Sequence, residues 1–338
     1  MKLRLGLILL AMGLFLVVGI SKVEWSVASE AIGEVDWLLM SPIFLLYILT
    51  HVARSIRLGA LLATPVPFWR LFSINAIGFM AINVIPLRLG EAVRPYLLKE
   101  QDDVDLGVSV AGIVVERLYD FAMLLTMLLI VGFAIDLPSH SVAFGGREVD
   151  VIAVGQRGAS VMLSVAVVGL VVALGIGERF SALLERFGVI GRVLDSIFRG
   201  FLGAFKQLRQ DPMRGVVALL CSLVVWGTTI AAVWLVMRSF GLSGGWAAAL
   251  VCWTFTITGM TFMPTPGFFG AYEACCAGAL VLMEICTLSE AMAFALVLHL
   301  GQFVYLSVLG VTFLVKEGVT LGGVVRSSLD GAKGQAPG

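Results

Sequence analysis

Charge is what this sequence has least of. Of its 338 residues only 14% are Asp, Glu, Lys or Arg, against 59% hydrophobic, and the mean hydropathy is +1.00. So few charges cannot cover the surface of a water-soluble domain, which leaves an integral membrane protein. Histidine is scarce as well: His51, His140 and His299 stand singly. The five cysteines, Cys221, Cys252, Cys275, Cys276 and Cys286, lie in apolar segments without metal-ligand spacing. They read as small buried thiols, and neither a metal centre nor a catalytic triad suggests itself. No G-x4-G-K-[ST] loop is present, so nothing in the chain points to ATP as a driver. No cofactor, no metal and no nucleic-acid partner is expected.

What the chain has is uncharged runs. A bilayer core of roughly 30 Å takes about 20 helical residues. Runs of that order cover Leu5 to Ser21, Trp37 to Ala53, Gly158 to Gly177, Gly215 to Met237 and Ala291 to Val315, and Leu118 to Ile135 is apolar except for Asp120. The first run resembles a signal peptide, but Ser26-Val27-Ala28 lies too far beyond its end for a cleavage site, so it reads as a retained span. Two more stretches, Leu71 to Leu87 and Ser239 to Tyr272, are uncharged but end in Pro and Gly clusters.

Lys and Arg concentrate at the N-terminus, in residues 54 to 70, in residues 178 to 214 and in the C-terminal tail, whereas Ser21 to Asp36 and Asp136 to Arg157 carry more acids. By the positive-inside rule both termini are expected to be cytoplasmic, and the expected location is a prokaryotic cytoplasmic (inner) membrane. The count then closes at six full spans only if each Pro/Gly-broken stretch returns to the side it entered from. We therefore expect an all-α polytopic fold with two opposed re-entrant hairpins, at about 68 to 105 from inside and about 245 to 288 from outside. Their breaks are marked by Asn83, Pro86 and Gly90 in the first, and by Pro264, Pro266, Gly267 and Gly270 in the second. Each set, span, span, hairpin, span, has an odd number of crossings, so residues 1 to 136 and 158 to 316 form an inverted-topology repeat. Residues 137 to 157 form an outer loop between them. Residues 178 to 214 read as a basic amphipathic linker on the inner surface, and 317 to 338 as a disordered cytoplasmic tail.

Three clusters place charge where burial is expensive. Arg88, Glu91 and Arg94 follow the break at Pro86; Glu116, Arg117 and Asp120 head the third span; Glu273 follows Gly270 in an otherwise uncharged stretch. An ionisable group at the bilayer centre costs at least about 2.5 kcal/mol, so such groups pair or line a pathway. Snorkelling and mutual pairing at a helix end is the plain alternative for the first two clusters. If they face one cavity, Arg side chains beside a broken helix make a seat for phosphate. Arg88, Arg94 and Arg117 would hold it, and Glu91, Glu116, Asp120 and Glu273 would balance charge or couple protons.

The same residues carry a resemblance. N-x-x-P-x-R-x-G-E-x-x-R (Asn83 to Arg94), E-R-x-x-D (Glu116 to Asp120) and P-x-P-G-x-x-G-x-x-E (Pro264 to Glu273) are similar to the motifs of the lysylphosphatidylglycerol synthase/flippase transmembrane-domain family. Leu87 departs from the small residue common there, and the soluble aminoacyl-transferase domain of the two-part synthases is missing from these residues. The resemblance implies lipid translocation without enzymatic chemistry, with anionic membrane lipids, phospholipid or polyprenyl-phosphate-linked, as partners. Two other readings stand beside it: an accessory subunit of a glycosyltransferase or lipid synthase, as a homo-oligomer or with a partner enzyme, and a lipid pyrophosphatase. The second fits poorly, because Phe268, Phe269, Gly270 and Ala271 supply no nucleophile or Arg after the Pro-Gly turn.

Overall fold

The computed structural model describes residues 23–62, 64–85, 90–135, 141–144, 147–150, 209–263 and 265–319. The expected spans at 5–21 and 158–177, most of the 178–214 linker and nearly all of the tail lie outside the described residues, as do Pro86, Arg88 and Pro264.

The described chain is helical apart from one short hairpin. In order it forms α1 (Trp25–Gly33), α2 (Trp37–Met40), α3 (Ile43–Leu61), α4 (Phe68–Val84), α5 (Val93–Asp102), α6 (Leu106–Ala134), β1 (Ser141–Phe144), β2 (Arg147–Asp150), α7 (Pro212–Ser239), α8 (Gly245–Phe262), α9 (Ala271–Leu282) and α10 (Leu288–Lys316). The strands pair antiparallel, Ser141 opposite Asp150 and Phe144 opposite Arg147, so the stretch expected to be a plain outer loop contains a hairpin.

Local chemistry sets the helix ends. The Asp36 carboxylate accepts the Leu39 N–H at 2.9 Å to start α2, and Asp105 does the same for Val108 at the head of α6. Pro212 opens α7, where a missing N–H is no loss. Thr287 and Glu290 form a reciprocal capping box at α10. Among the described residues three helical stretches are long and apolar enough to cross a membrane, Trp37–Leu61, Pro212–Ser239 and Leu288–Lys316. Their outer faces present bare apolar side chains such as Leu45, Leu220 and Val308, as a lipid-facing surface requires.

The two shorter apolar helices, α4 and α9, are largely buried by protein. Every residue from Leu71 to Ile82 in α4 is buried. After the break α5 folds back along α4: Gly90 sits against Ala81 and Ile82, the Arg94 side chain against Gly78, and Arg70 pairs with Asp102 at 3.1 Å. The sums of the paired residue numbers stay near 172, the signature of an antiparallel helical hairpin. A side chain at Gly90 would overlap the α4 backbone, which is why glycine stands there. In the second half α8 and α9 make the equivalent pair: Cys252 Sγ lies 3.5 Å from Cys276 Sγ, and Gly259 abuts Cys275. Its turn runs through a 3-10 segment, Pro266–Phe268, with Gly267 and Gly270 at φ +59° and +85°.

The packing repeats between halves. The most extensive interface joins α3 to α7. Around it, α3–α4, α4–α5, α5–α6 and α4–α10 contacts have counterparts in α7–α8, α8–α9, α9–α10 and α8–α6. The hairpin tips approach each other: a Cβ on Gly267 would lie 3.3 Å from the Asn83 carbonyl oxygen.

Two boundaries differ from the expectation. The span that begins at Trp37 runs on to Leu61, so Arg54 and Arg57 are helix residues inside the bundle and cannot be counted among loop charges. Arg57 is tolerated there because buried carboxylates meet it, as described next. The linker also ends early, since residues 212–214 form the first turn of α7.

Candidate functional site

α6 delivers the centre of the site. Glu116, with no exposed side-chain surface, accepts hydrogen bonds from two arginines, Arg94 and Arg117, and forms an ion pair with a third, Arg57. Arg94 on α5 reaches both its oxygens, Nη2 to Oε2 at 2.8 Å and Nη1 to Oε1 at 3.2 Å, the paired geometry that guanidinium and carboxylate favour. Arg57 on α3 lies 3.1 Å from Oε1, and Arg117 donates to the same oxygen at 2.8 Å. One turn on, Asp120 accepts from Arg57 at 2.7 Å and faces Arg117 at 3.3 Å. Arg57 also donates to the Ser222 hydroxyl of α7 at 3.1 Å, which ties the network to the second half. The periodicity explains the reach, because residues 116 and 120 share one face of a helix.

Arg54 stands apart. Its guanidinium carbon lies 4.3 Å over the Phe79 ring, and among the described residues no carboxylate comes within ion-pair distance. Four arginines, 54, 57, 94 and 117, thus face Glu116 and Asp120, with Glu91 also acting on Arg117 through its charge. Four positive against three negative leaves the described cluster one positive charge in excess.

This excess borders open space. A cavity of about 200 Å³ is lined by Arg54, Arg117, Asp120, Trp226, Thr229 and Trp253 among others. A second, much smaller one of about 20 Å³ lies on the other side of Arg54, Thr229 and Trp253, walled by Tyr47, Thr50, His51, Tyr272, Gln302 and Tyr305.

The second hairpin contributes Glu273. Its Oε2 accepts the Gly270 N–H at 2.6 Å, closing the start of α9, and its Oε1 meets His299 Nδ1 of α10 at 2.6 Å. Tyr272 stacks on the same imidazole, ring centroids 4.2 Å apart and nearly parallel. Glu273 therefore serves the hairpin fold itself and does not line either cavity. Among the described residues no group of His, Cys, Asp and Glu is placed to hold a metal. The cysteines are free thiols, and burial, reinforced by Glu290, pushes Cys286 between α9 and α10 up to about 12.

Residues 3–310 match the family described as lysylphosphatidylglycerol synthase TM region. The chain belongs to that family. It is also similar to a UPF0104 membrane protein of Methanothermobacter thermautotrophicus, 22% identical over 297 residues that cover 82% of each chain. No solved structure matches.

Within this lysylphosphatidylglycerol synthase TM region chain, the structure brings Arg94, Glu116, Arg117 and Asp120 into one network, while Glu273 sits in another. Arg94 is buried and committed to Glu116. Asn83 ends α4 at the meeting of the hairpin tips, and Pro266, Gly267 and Gly270 form the second turn. Sequence reasoning missed Arg54, Arg57 and His299. A signal for the first two existed: Thr50, His51, Arg54, Ser55 and Arg57 make a polar stripe that an apolar-run count cut short at Ala53. No comparable pattern flags His299, which becomes significant only because α9 lies beside α10.

Proposed function

We propose that the protein moves a phosphate-bearing lipid between leaflets by alternating access, without covalent chemistry. The observation that carries this is the positively biased cavity at Arg54 and Arg117, set inside a helical membrane protein beside two helix hairpins whose tips meet. A guanidinium without a carboxylate partner at such depth is costly unless an anion arrives to pair with it. Arg54 and Arg117 take the phosphate; Arg57, Arg94, Glu116 and Asp120 hold Arg117 in place; Glu91 tunes the cavity charge. The family's described name points to phosphatidylglycerol-type lipids, and the chain's own cavity suits their phosphodiester.

The finer architecture belongs to the same reading. α3, α7, α10 and α6 cross the bilayer, with two further spans outside the described residues, to make six. α4–α5 and α8–α9 are re-entrant hairpins from opposite sides, and the halves are inverted copies. The mirrored packing supports the repeat, and the complete burial of α4 supports the hairpin, since a broken helix at membrane depth needs protein around it. The termini face the cytoplasm across the inner membrane.

The test is translocation of a fluorescent phosphatidylglycerol in proteoliposomes, read by loss of signal to a membrane-impermeant quencher. Wild type should expose lipid beyond the half quenched in empty vesicles, and Arg54→Ala and Arg117→Ala should return it to that half. Equal quenching by all three proteins and empty vesicles would end the proposal.

A further inference from the structure

The small cavity behind Arg54 says what the headgroup is made of. Tyr47, His51, Trp253, Tyr272 and Tyr305 all wall it, and each carries a buried polar atom with no hydrogen-bond partner among the described residues: three phenol hydroxyls, the Trp253 indole N–H and His51 Nδ1. Trp226, on the wall of the larger cavity, has an unpartnered indole N–H as well. Buried polar groups are nearly always satisfied, so this many around one void marks a place that a polar group fills.

The inventory constrains that group. An indole N–H only donates, and Arg54 only donates, so the occupant must accept hydrogen bonds. His51 Nε2 lies 3.1 Å from the Phe72 carbonyl, a contact that only a protonated Nε2 can make, so neutral Nδ1 is left as an acceptor that wants a donor. A hydroxyl both accepts and donates; an ammonium cannot accept. Nor does the site welcome a cation: among the described residues no Asp or Glu walls the small cavity, and Asp120, the only described carboxylate on the larger one, is bound by Arg57 and Arg117. Volume agrees, since about 20 Å³ admits one hydroxyl-sized group while about 200 Å³ admits a phosphodiester next to it.

Building on the proposed lipid transport, we infer that the two cavities form one subsite for an amine-free, hydroxylated headgroup. The phosphodiester sits in the larger cavity on Arg54 and Arg117, and a neighbouring hydroxyl, of glycerol or a sugar, enters the small one between His51 and the phenols. Ethanolamine is rejected by Arg54 and by donors left unpaired, and an aminoacylated headgroup, which keeps one glycerol hydroxyl, is opposed by Arg54 through its added ammonium.

Lipid retention by native mass spectrometry tests this, with the full-length protein in mild detergent offered phosphatidylglycerol and phosphatidylethanolamine of matched acyl chains. A site built to hydrogen-bond a hydroxyl should favour phosphatidylglycerol by about tenfold or more. Arg54→Gln should abolish the preference. Tyr305→Phe, which removes a hydroxyl with no hydrogen-bond partner among the described residues, should leave thermal stability unchanged or higher and still narrow the preference, an effect that a purely structural tyrosine would not have. Free glycerol 3-phosphate should bind far more weakly than the lipid.

Equal or better retention of phosphatidylethanolamine or of an aminoacylated phosphatidylglycerol by wild type overturns the inference. So does a preference that survives both substitutions, or tighter binding of free glycerol 3-phosphate than of the lipid. The translocation assay keeps the two proposals separate. Transport without headgroup preference removes this subsite and leaves the flippase reading, whereas preference without transport does the reverse.

Discussion

Glu116 has no exposed side-chain surface and three guanidiniums around it. Desolvating that carboxylate is unfavourable, and only the arginines offset it, so neither side of the network can be removed alone. Glu116→Gln should therefore lower stability by about 3 to 5 kcal/mol, since it leaves Arg57 and Arg94 buried without their shared partner. A thermal melt of detergent-purified protein checks this, and an unchanged melting temperature would show that the arginines reach water. The Glu273 pair is a smaller case. Its carboxylate accepts one backbone N–H and one imidazole N–H, and Glu273→Gln should cost about 1 to 3 kcal/mol by leaving His299 Nδ1 with a poorer partner. Since Glu273 lines neither cavity, this substitution should spare phosphatidylglycerol retention while Arg54→Gln removes it.

At the scale of elements, the hairpins depend on close approach. Gly90 touches the Ala81–Ile82 backbone, which cannot swing aside as a side chain would. Gly90→Ala should open the α4–α5 hairpin and cost about 1 to 3 kcal/mol, seen as a lower midpoint and a broader profile in fluorescence-detected size-exclusion. Gly227, in the middle of α7, is the contrast: a Cβ there meets nothing within 4 Å. Gly227→Ala should stabilise the protein by about 0.5 to 1 kcal/mol through helix propensity alone. If both substitutions shift the midpoint alike, the close packing of the first hairpin is wrong. The Pro and Gly clusters made both breaks legible in the sequence, because few other residues interrupt an apolar helix so abruptly. Their partners were not legible, since nothing in a one-dimensional pattern says that Gly90 lies on Ala81.

For the whole molecule, α4 of one half is clamped against α10 of the other. Phe72 and Phe313 rings lie 5.4 Å apart, Ser73 donates to Glu317 at 2.8 Å, and Arg70 pairs with the same carboxylate. The alternating access proposed above requires the halves to rock against each other, and on that proposal this clamp opens in one of its two states. Phe72→Cys with Phe313→Cys, joined by a short thiol-reactive crosslinker, should therefore stop translocation, and cleaving the linker should restore it. Undiminished transport in the crosslinked protein would place the moving surface elsewhere.

The sequence by itself determined the solvent, the element type and the family. A chain with this little charge and these apolar runs has nowhere to fold but a bilayer, and there continuous runs of about 20 apolar residues satisfy their backbone as helices rather than as the alternating strands of a barrel. Three ordered motifs were enough to place it in the lysylphosphatidylglycerol synthase TM region family. Which charges meet was decided only by the tertiary structure. Arg54 and Arg57 looked like ordinary charges of a cytoplasmic loop, because pairing distance depends on how α3 packs against α6 and α7. The unpartnered phenols, indole and imidazole were invisible for the same reason. In a sequence Tyr47, Trp253 and Tyr305 are only apolar helix residues, and whether a hydroxyl or N–H finds a partner is a property of the packed interior alone.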